Sequence, residues 1–445
     1  MCGDRVEVTN TQQLIDLFNS TTETTLTTDI VLLADLDFSG FNLTLPLGAF
    51  SNGTCVTFSG VFHGNSHTIK GLVIISNLTE WYVHAGLFCS LKDVIVENLV
   101  IDSSCSFTGE YAGGLSVIVN GSLTIKNVTN KASISGFGGR GNGGFIGYVQ
   151  DIKQATVITI EDCVNDGAFS GEDSFSTGGF FGHMNGNSNL TVTISNCTNN
   201  GSFVVGGQGF GGFVGCISSN TYMTLTISNS TNNGDFSQNS GHVGGFVGFI
   251  GQNADTTLTI SNSVGNGTFT PNGIGTGEFI GMILSNKNNV TVTVSNSTNN
   301  GAIIKGRDCG VFVGSIESNP DIALIISNSI NNGIITGIAH VGVFVGYIES
   351  NSNMDITIFN SINNGNVIGE SYYIGGFIGH MNNNNIMSIT ISSSINYGNI
   401  TSNKNYVGGF IGYINNNHNT NMTIVNSINN GFVNKSDCMG GFVGF

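Results

Sequence analysis

The sequence predicts an all-β chain wound as a parallel β-helix of about 33 residues per coil. Three observations predict it. A GGF motif followed by an aliphatic residue and Gly, varied to GEFIG or GVFVG, places Phe145, Phe180, Phe213, Phe246, Phe279, Phe312, Phe344, Phe377, Phe410 and Phe442 at intervals of 32 to 35 residues. Between these motifs, β-branched stretches such as Thr191 to Ile194 alternate with period two, the pattern of a half-buried strand. Finally, the string ISNSTNNG at 227–234 recurs nearly unchanged at 194–201 and 294–301. A period this constant marks stacked copies of one structural unit. At about 3.3 Å per extended residue, one unit makes a coil of roughly three short strands and their corners. A β-propeller fits less well, because twelve motif occurrences, counting Leu87 and Leu115, exceed its usual four to eight blades.

The elements follow in order. Residues 1–24 read as an N-terminal cap, in which TNTQQLIDLFNS at 9–20 sets Leu14, Ile15, Leu17 and Phe18 at the spacing of an amphipathic helix. Residues 25–85 read as lead-in coils and 86–445 as the repeats, which stop in mid-unit at GGFVGF. A truncated chain, or a last coil that abuts something else, is the expectation there. Within a repeat, Thr159, Thr193, Thr226 and Thr259 form an outward column, and Ile160, Ile194, Ile227 and Ile260 an inward one.

The same parity predicts that Asn196, Asn229, Asn262, Asn296, Asn328, Asn360 and Asn426 point inward as a ladder of stacked amides. Gly201, Gly234, Gly301, Gly333, Gly365 and Gly431 close the string, consistent with a left-handed or tight corner. Cys163 and Cys197 occupy one position of successive units. Stacking brings their Cα atoms within disulfide range, whereas Ser elsewhere in the column argues for a small filler.

Composition excludes several function classes. Hydrophobic residues at 39%, with 30 Phe, supply a core and argue against disorder. With 12 Lys and Arg and a net charge of −16, no basic stripe is available for nucleic acid or anionic lipid. No apolar run approaches the length of a membrane span, and MCGDRVEVTN is not a signal peptide. Sixteen N-x-S/T sequons are close to what this Asn-rich composition gives by chance.

The GGFVG and GGFIG strings, alternating with TISNSTNNG, resemble GLUG repeats, and FSGVFHGNSHTIKGLVI at 58–74 is similar to the coil that leads into them. Phe replaces the usual Leu, and His63 stands where Asp is common. The resemblance covers roughly residues 25–445 and implies a right-handed parallel β-helix on a surface-exposed or secreted, adhesin-like protein. It implies a host or cell-surface protein or glycan as partner, and no cofactor. The family also occurs as an accessory part of IgA-specific metallopeptidases, but no H-E-x-x-H is present, so that role is not carried over.

Other chemistry finds little support in the pattern. A polysaccharide-acting β-helix needs carboxylates clustered on neighbouring coils, and the acidic pair Asp35 and Asp37 reads as a solvated edge. His63 and His67 converge on a metal only if helical, and they lie in a strand-and-turn stretch. His183 and His380 share a column six coils apart. The Thr-x-Thr array at Thr191/Thr193, Thr224/Thr226, Thr257/Thr259 and Thr291/Thr293 is similar to ice-binding solenoids but decays to Ala323/Ile325. One outward stripe remains. Val214, Val247, Ile280 and Val313 follow the motif Phe, and Tyr148, Phe249, Tyr347 and Tyr413 lie two residues further on. Simple alternation makes them an exposed assembly or ligand surface, whereas a bend at the paired Gly would pack consecutive residues inside. The sequence therefore predicts a non-enzymatic adhesin-like stalk, with self-assembly along the solenoid or a polysaccharide-acting enzyme as alternatives.

Overall fold

The computed structural model describes residues 5–21, 23–50, 54–76, 84–237, 240–404, 406–434 and 438–444. It is a parallel β-solenoid whose coils repeat every 33 residues or so, because each strand pairs in register with the strand one repeat later. Among the described residues the only helix is Thr11–Asn19, capped by the Asn10 side chain accepting from the Gln13 amide. Its Leu14, Ile15 and Phe18 close the first coil.

Each coil runs through three faces. A threonine face carries strands such as Leu190–Ser195 and Thr224–Ser228, with Ile194 and Ile227 fully buried and Thr191 and Thr224 exposed. A short strand such as Thr198–Asn199 then leads to a glycine-rich face, for example Phe203–Gly211. The coil returns along a third face, for example Val214–Ser218. Two columns of stacked rings fill the interior. The motif Phe side chains stack from Phe145 to Phe442 with neighbouring centroids 4.4 to 5.1 Å apart. Phe169, Phe203, Phe236 and Phe269 form a second stack. Each ring pair contributes about 0.5–1.5 kcal/mol beyond its buried area.

The chain bends at the Gly two residues before each motif Phe, so Phe213 and Val214 are both fully buried, as are Phe246 and Val247. A Cβ on Gly211 would collide with the Val214 carbonyl, and one on Gly212 with the Gly245 carbonyl and the Asn232 amide. Of the two arrangements expected for Val214, Val247, Ile280 and Val313, the structure has the inward packing at a bend and not the exposed stripe. The backbone folds back on itself there, and strict alternation ends.

The Asn ladder is present, but three residues downstream of its expected place. Asn196, Asn229, Asn262, Asn296, Asn328, Asn360 and Asn426 adopt left-handed backbone, φ 48° to 55°, and point outward at the corner. That conformation, which Asn tolerates better than most residues, resets the parity of the strand. The next inward positions are therefore the Ser column at Ser230, Ser263 and Ser297, and then the buried amides Asn130, Asn165, Asn199, Asn232, Asn299, Asn331, Asn363 and Asn396. Each of these amides donates along the axis, as from Asn331 Nδ2 to Asn363 Oδ1 at 2.8 Å and from Asn363 to Asn396 at 2.7 Å. A second buried ladder runs through Asn187, Asn220, Asn253, Asn286, Asn319, Asn351 and Asn384, each amide donating to the next at 2.9 to 3.1 Å.

Of the two geometries expected for the Gly that close the string, the left-handed one is not adopted. A Cβ on Gly201 or Gly333 would overlap the carbonyl of the coil beneath, Gly167 or Gly301, so close stacking is what selects glycine.

Cys163 and Cys197 are free, buried thiols rather than a disulfide. They begin the Ser column. The Cys163 amide donates to Cys197 Sγ at 3.4 Å, the Cys197 amide to Ser230 Oγ at 3.2 Å, and each thiol bonds a carbonyl two residues back. Small size and a hydrogen-bonding tip are what the column demands. Among the described residues a disulfide joins Cys55 and Cys89, whose Cα atoms are 6.0 Å apart on the lead-in coils.

Candidate functional site

The third face is the least uniform surface of the solenoid. Its strands, from Ile146–Gln150 to Ile411–Asn415, bring Tyr148, His183, Cys216, Phe249, Met282, Ser315, Tyr347, His380 and Tyr413 into one in-register column. The four aromatic residues singled out from sequence thus share a column. They are half-buried or, for Tyr347, 8% exposed, so none stands proud of the surface. A left-handed column at the end of the preceding face, Ser176, Gly209, His242, Gly275, Asp308, His340, Tyr373 and Tyr406, flanks them.

Three stretches differ along this track. At the N-terminal end His84, Tyr111, Tyr148 and His183 meet edge to face at 5.1 to 5.7 Å. A depression of about 260 Å³ lies there, lined by His84, Tyr111, Ile118, Tyr148 and Gln150. Ser218 Oγ donates to Asn185 Oδ1 at 3.0 Å and lies 2.7 Å from His183 Nε2.

The middle stretch is apolar, because Gly209 and Gly275 leave room. A depression of about 240 Å³ opens between Phe175, 47% exposed, and Phe249, against which the His242 ring stacks. Burial pushes the Cys216 thiol on its floor up to about 11 and pulls His242 down to about 4, so both are neutral.

The C-terminal stretch is aromatic and acidic. His340 stacks on Tyr347 and Tyr373, and His380 packs against His340, Tyr347, Tyr373 and Tyr413. Tyr406 and Tyr413 extend the stack, so the rings cover one another and offer edges and hydroxyls to solvent. Asp308 Oδ1 holds His340 Nδ1 at 2.5 Å. Glu317 bonds the Ser315 hydroxyl, and Asn382 Nδ2 donates to Glu349 Oε1 at 3.0 Å, with the Tyr347 hydroxyl also on Glu349. Glu317 and Glu349 are directly paired across one rung. Burial raises the Glu317 pKa, with Asp308 and Glu349 adding to the effect. Sequence reasoning missed this pair, although its spacing of 32 residues, followed at the same column by Asn382 and Asn415, was there to be read.

The other singled-out residues lie elsewhere. His63 pairs with Glu97 at 2.6 Å, and Asp35 accepts from Lys70 at 2.7 Å with His67 at 3.4 Å. Among the described residues no three His, Cys, Asp or Glu side chains converge as metal ligands. The Thr-x-Thr positions stack in register on the outward side of the threonine face.

No protein-family model and no curated protein matches the chain. Among solved structures, one titled a "putative immunoglobulin A1 protease" from Bacteroides ovatus is similar, at 18% identity and a TM-score of 0.42, over 57% of this chain and 75% of that one. A likeness of that size carries no inference about activity.

Proposed function

We propose that the chain is a non-enzymatic, adhesin-like solenoid, secreted or held at a cell surface, whose third face is the binding surface for an extended ligand. The observation that supports this reading is the contrast among faces. The threonine face repeats one pattern, whereas the third face carries two depressions and an aromatic, amide and carboxylate track running parallel to the axis. From Tyr111 to Tyr413 that track crosses ten coils, so at about 4.8 Å per coil it extends roughly 43 Å. The test is retention of the purified chain on immobilised neutral, acidic and amino polysaccharides. Binding that falls with Tyr148→Ala or Tyr373→Ala, but not with Thr224→Ala on the threonine face, supports the reading. Equal loss from both faces contradicts it.

Glu317 and Glu349 favour a second reading. A carboxyl whose pKa is raised by burial, directly paired with a second carboxyl, is the kind of arrangement that glycoside hydrolysis uses. Release of reducing ends from any of those polysaccharides, abolished by Glu317→Gln, would establish an enzyme. Intact polysaccharide after prolonged incubation would leave the binding role.

A further inference from the structure

We propose that the acidic stretch of the third face, from Asp308 to Asn415, binds a saccharide chain bearing free amines, laid along the solenoid axis with about one sugar per coil. This rests on the binding reading above. Two independent observations point to the site. The first is charge. Glu317 and Glu349 oppose each other across one rung, and among the described residues neither forms an ion pair with Lys or Arg. Asp308 is close enough to act on Glu317, and its one basic partner is His340. Stacked like charges without a counter-ion are unfavourable, and a cationic group between them removes the cost.

The second is His380. It is 5% exposed, both of its ring nitrogens lack a partner, and it packs against His340 and Tyr347, the residues bonded to Asp308 and Glu349. A buried polar ring without partners costs about 1–3 kcal/mol, and a hydroxyl of a bound ligand would satisfy it.

Spacing separates a sugar chain from a peptide. Side chains on one side of an extended peptide recur at about 6.6 Å, twice the rise per residue, and so fall out of step with coils about 4.8 Å apart. One pyranose of an extended β-linked chain advances by nearly one coil, and although successive sugars are turned over, the same edge recurs at every second coil and stays in step with the solenoid. Asn382 donates to Glu349 and accepts from Asn415 at 3.2 Å, so an amide chain continues from the carboxylates along successive rungs, and its remaining N–H groups and lone pairs face the sugars.

The test is calorimetric titration of the whole chain with the β-linked glucosamine hexamer and, separately, the N-acetylglucosamine hexamer, at pH 6. The expected result is at least tenfold tighter binding of the free-amine hexamer, weakened by raised salt. Glu317→Gln with Glu349→Gln should weaken it tenfold or more, whereas Asp355→Asn on the threonine face should leave it unchanged. If the double variant does not fold by circular dichroism, the acetylation and salt arms decide. Equal affinity for both hexamers, binding of neither, or indifference to the double substitution overturns the proposal. A neutral glucan that binds and is lost with Tyr373→Ala would leave the binding face standing while the amine assignment falls.

Discussion

From Asn299 to Asn429 the interior amide ladder is unbroken, whereas one coil earlier it changes chemistry. Gly265 stands in the amide column, and Glu278 replaces the second Gly of the GGF motif. The two departures fit together. A Cβ on Gly265 would overlap the Glu278 side chain, and Glu278 Oε1 accepts from Asn232 Nδ2 at 3.1 Å where an Asn oxygen would otherwise sit. The carboxyl is buried, its second oxygen has no partner, and burial raises its pKa well above the usual carboxylate range. The difference teaches that the column requires an acceptor at each rung but not a particular residue. It also shows that an acceptor side chain at the motif position fits only when the ladder position gives up its own side chain.

The largest effect is expected where this fit is broken from one side. Gly265→Asn drives a side chain into Glu278 and should cost about 3 kcal/mol or more, read as lost hydrogen-exchange protection in the coils around residues 232 to 299. Next comes a break in the regular ladder. Asn363→Ala removes the acceptor for Asn331 and the donor to Asn396, both buried, and should cost roughly 2–3 kcal/mol by the same measurement.

Glu278→Gln acts in the opposite direction. The folded chain keeps Glu278 protonated above the unfolded pKa, so its contribution is fully present below about 4.5 and declines as pH rises toward the raised value. The amide should therefore stabilise the chain at pH 7 by about 1–3 kcal/mol and flatten the loss of stability above pH 4.5. His380 supplies the reverse slope. Its pKa is lowered to about 3, chiefly by burial, so stability from its neutral form is present above 6.5 and lost as pH falls toward 3. His380→Phe should reduce acid sensitivity in that window.

The smallest effect belongs to the outward corner. Asn229→Ala should cost about 1 kcal/mol through its left-handed backbone, and Asn229→Gly close to nothing.

These residues also show what the sequence could convey. The period, the inward Ile and outward Thr columns and the capping helix follow from spacing and hydrophobicity alone, because pleat and stacking leave no other arrangement. Parity counting failed where the backbone leaves the extended region. One left-handed residue at Asn196 or Asn229 moves the next inward position from two residues on to three, so the buried amides were Asn199 and Asn232. The repeated Ser or Cys between them was the legible clue, since a small residue held constant beside a corner marks an inward position. On the third face the column of Tyr148, Phe249, Tyr347 and Tyr413 was visible. Its partners His242, Asp308 and His340 were not, because they project from the end of a different strand and meet it only in space.

A double-substitution cycle across the break tests the central claim, that inward polar columns hold the coils together by pairwise fit. Gly265→Asn with Glu278→Gly recreates the regular ladder. Hydrogen-exchange protection in the flanking coils should return to the level of the unaltered chain or above it, although each single substitution lowers it. Losses that simply add in the double variant would contradict the account.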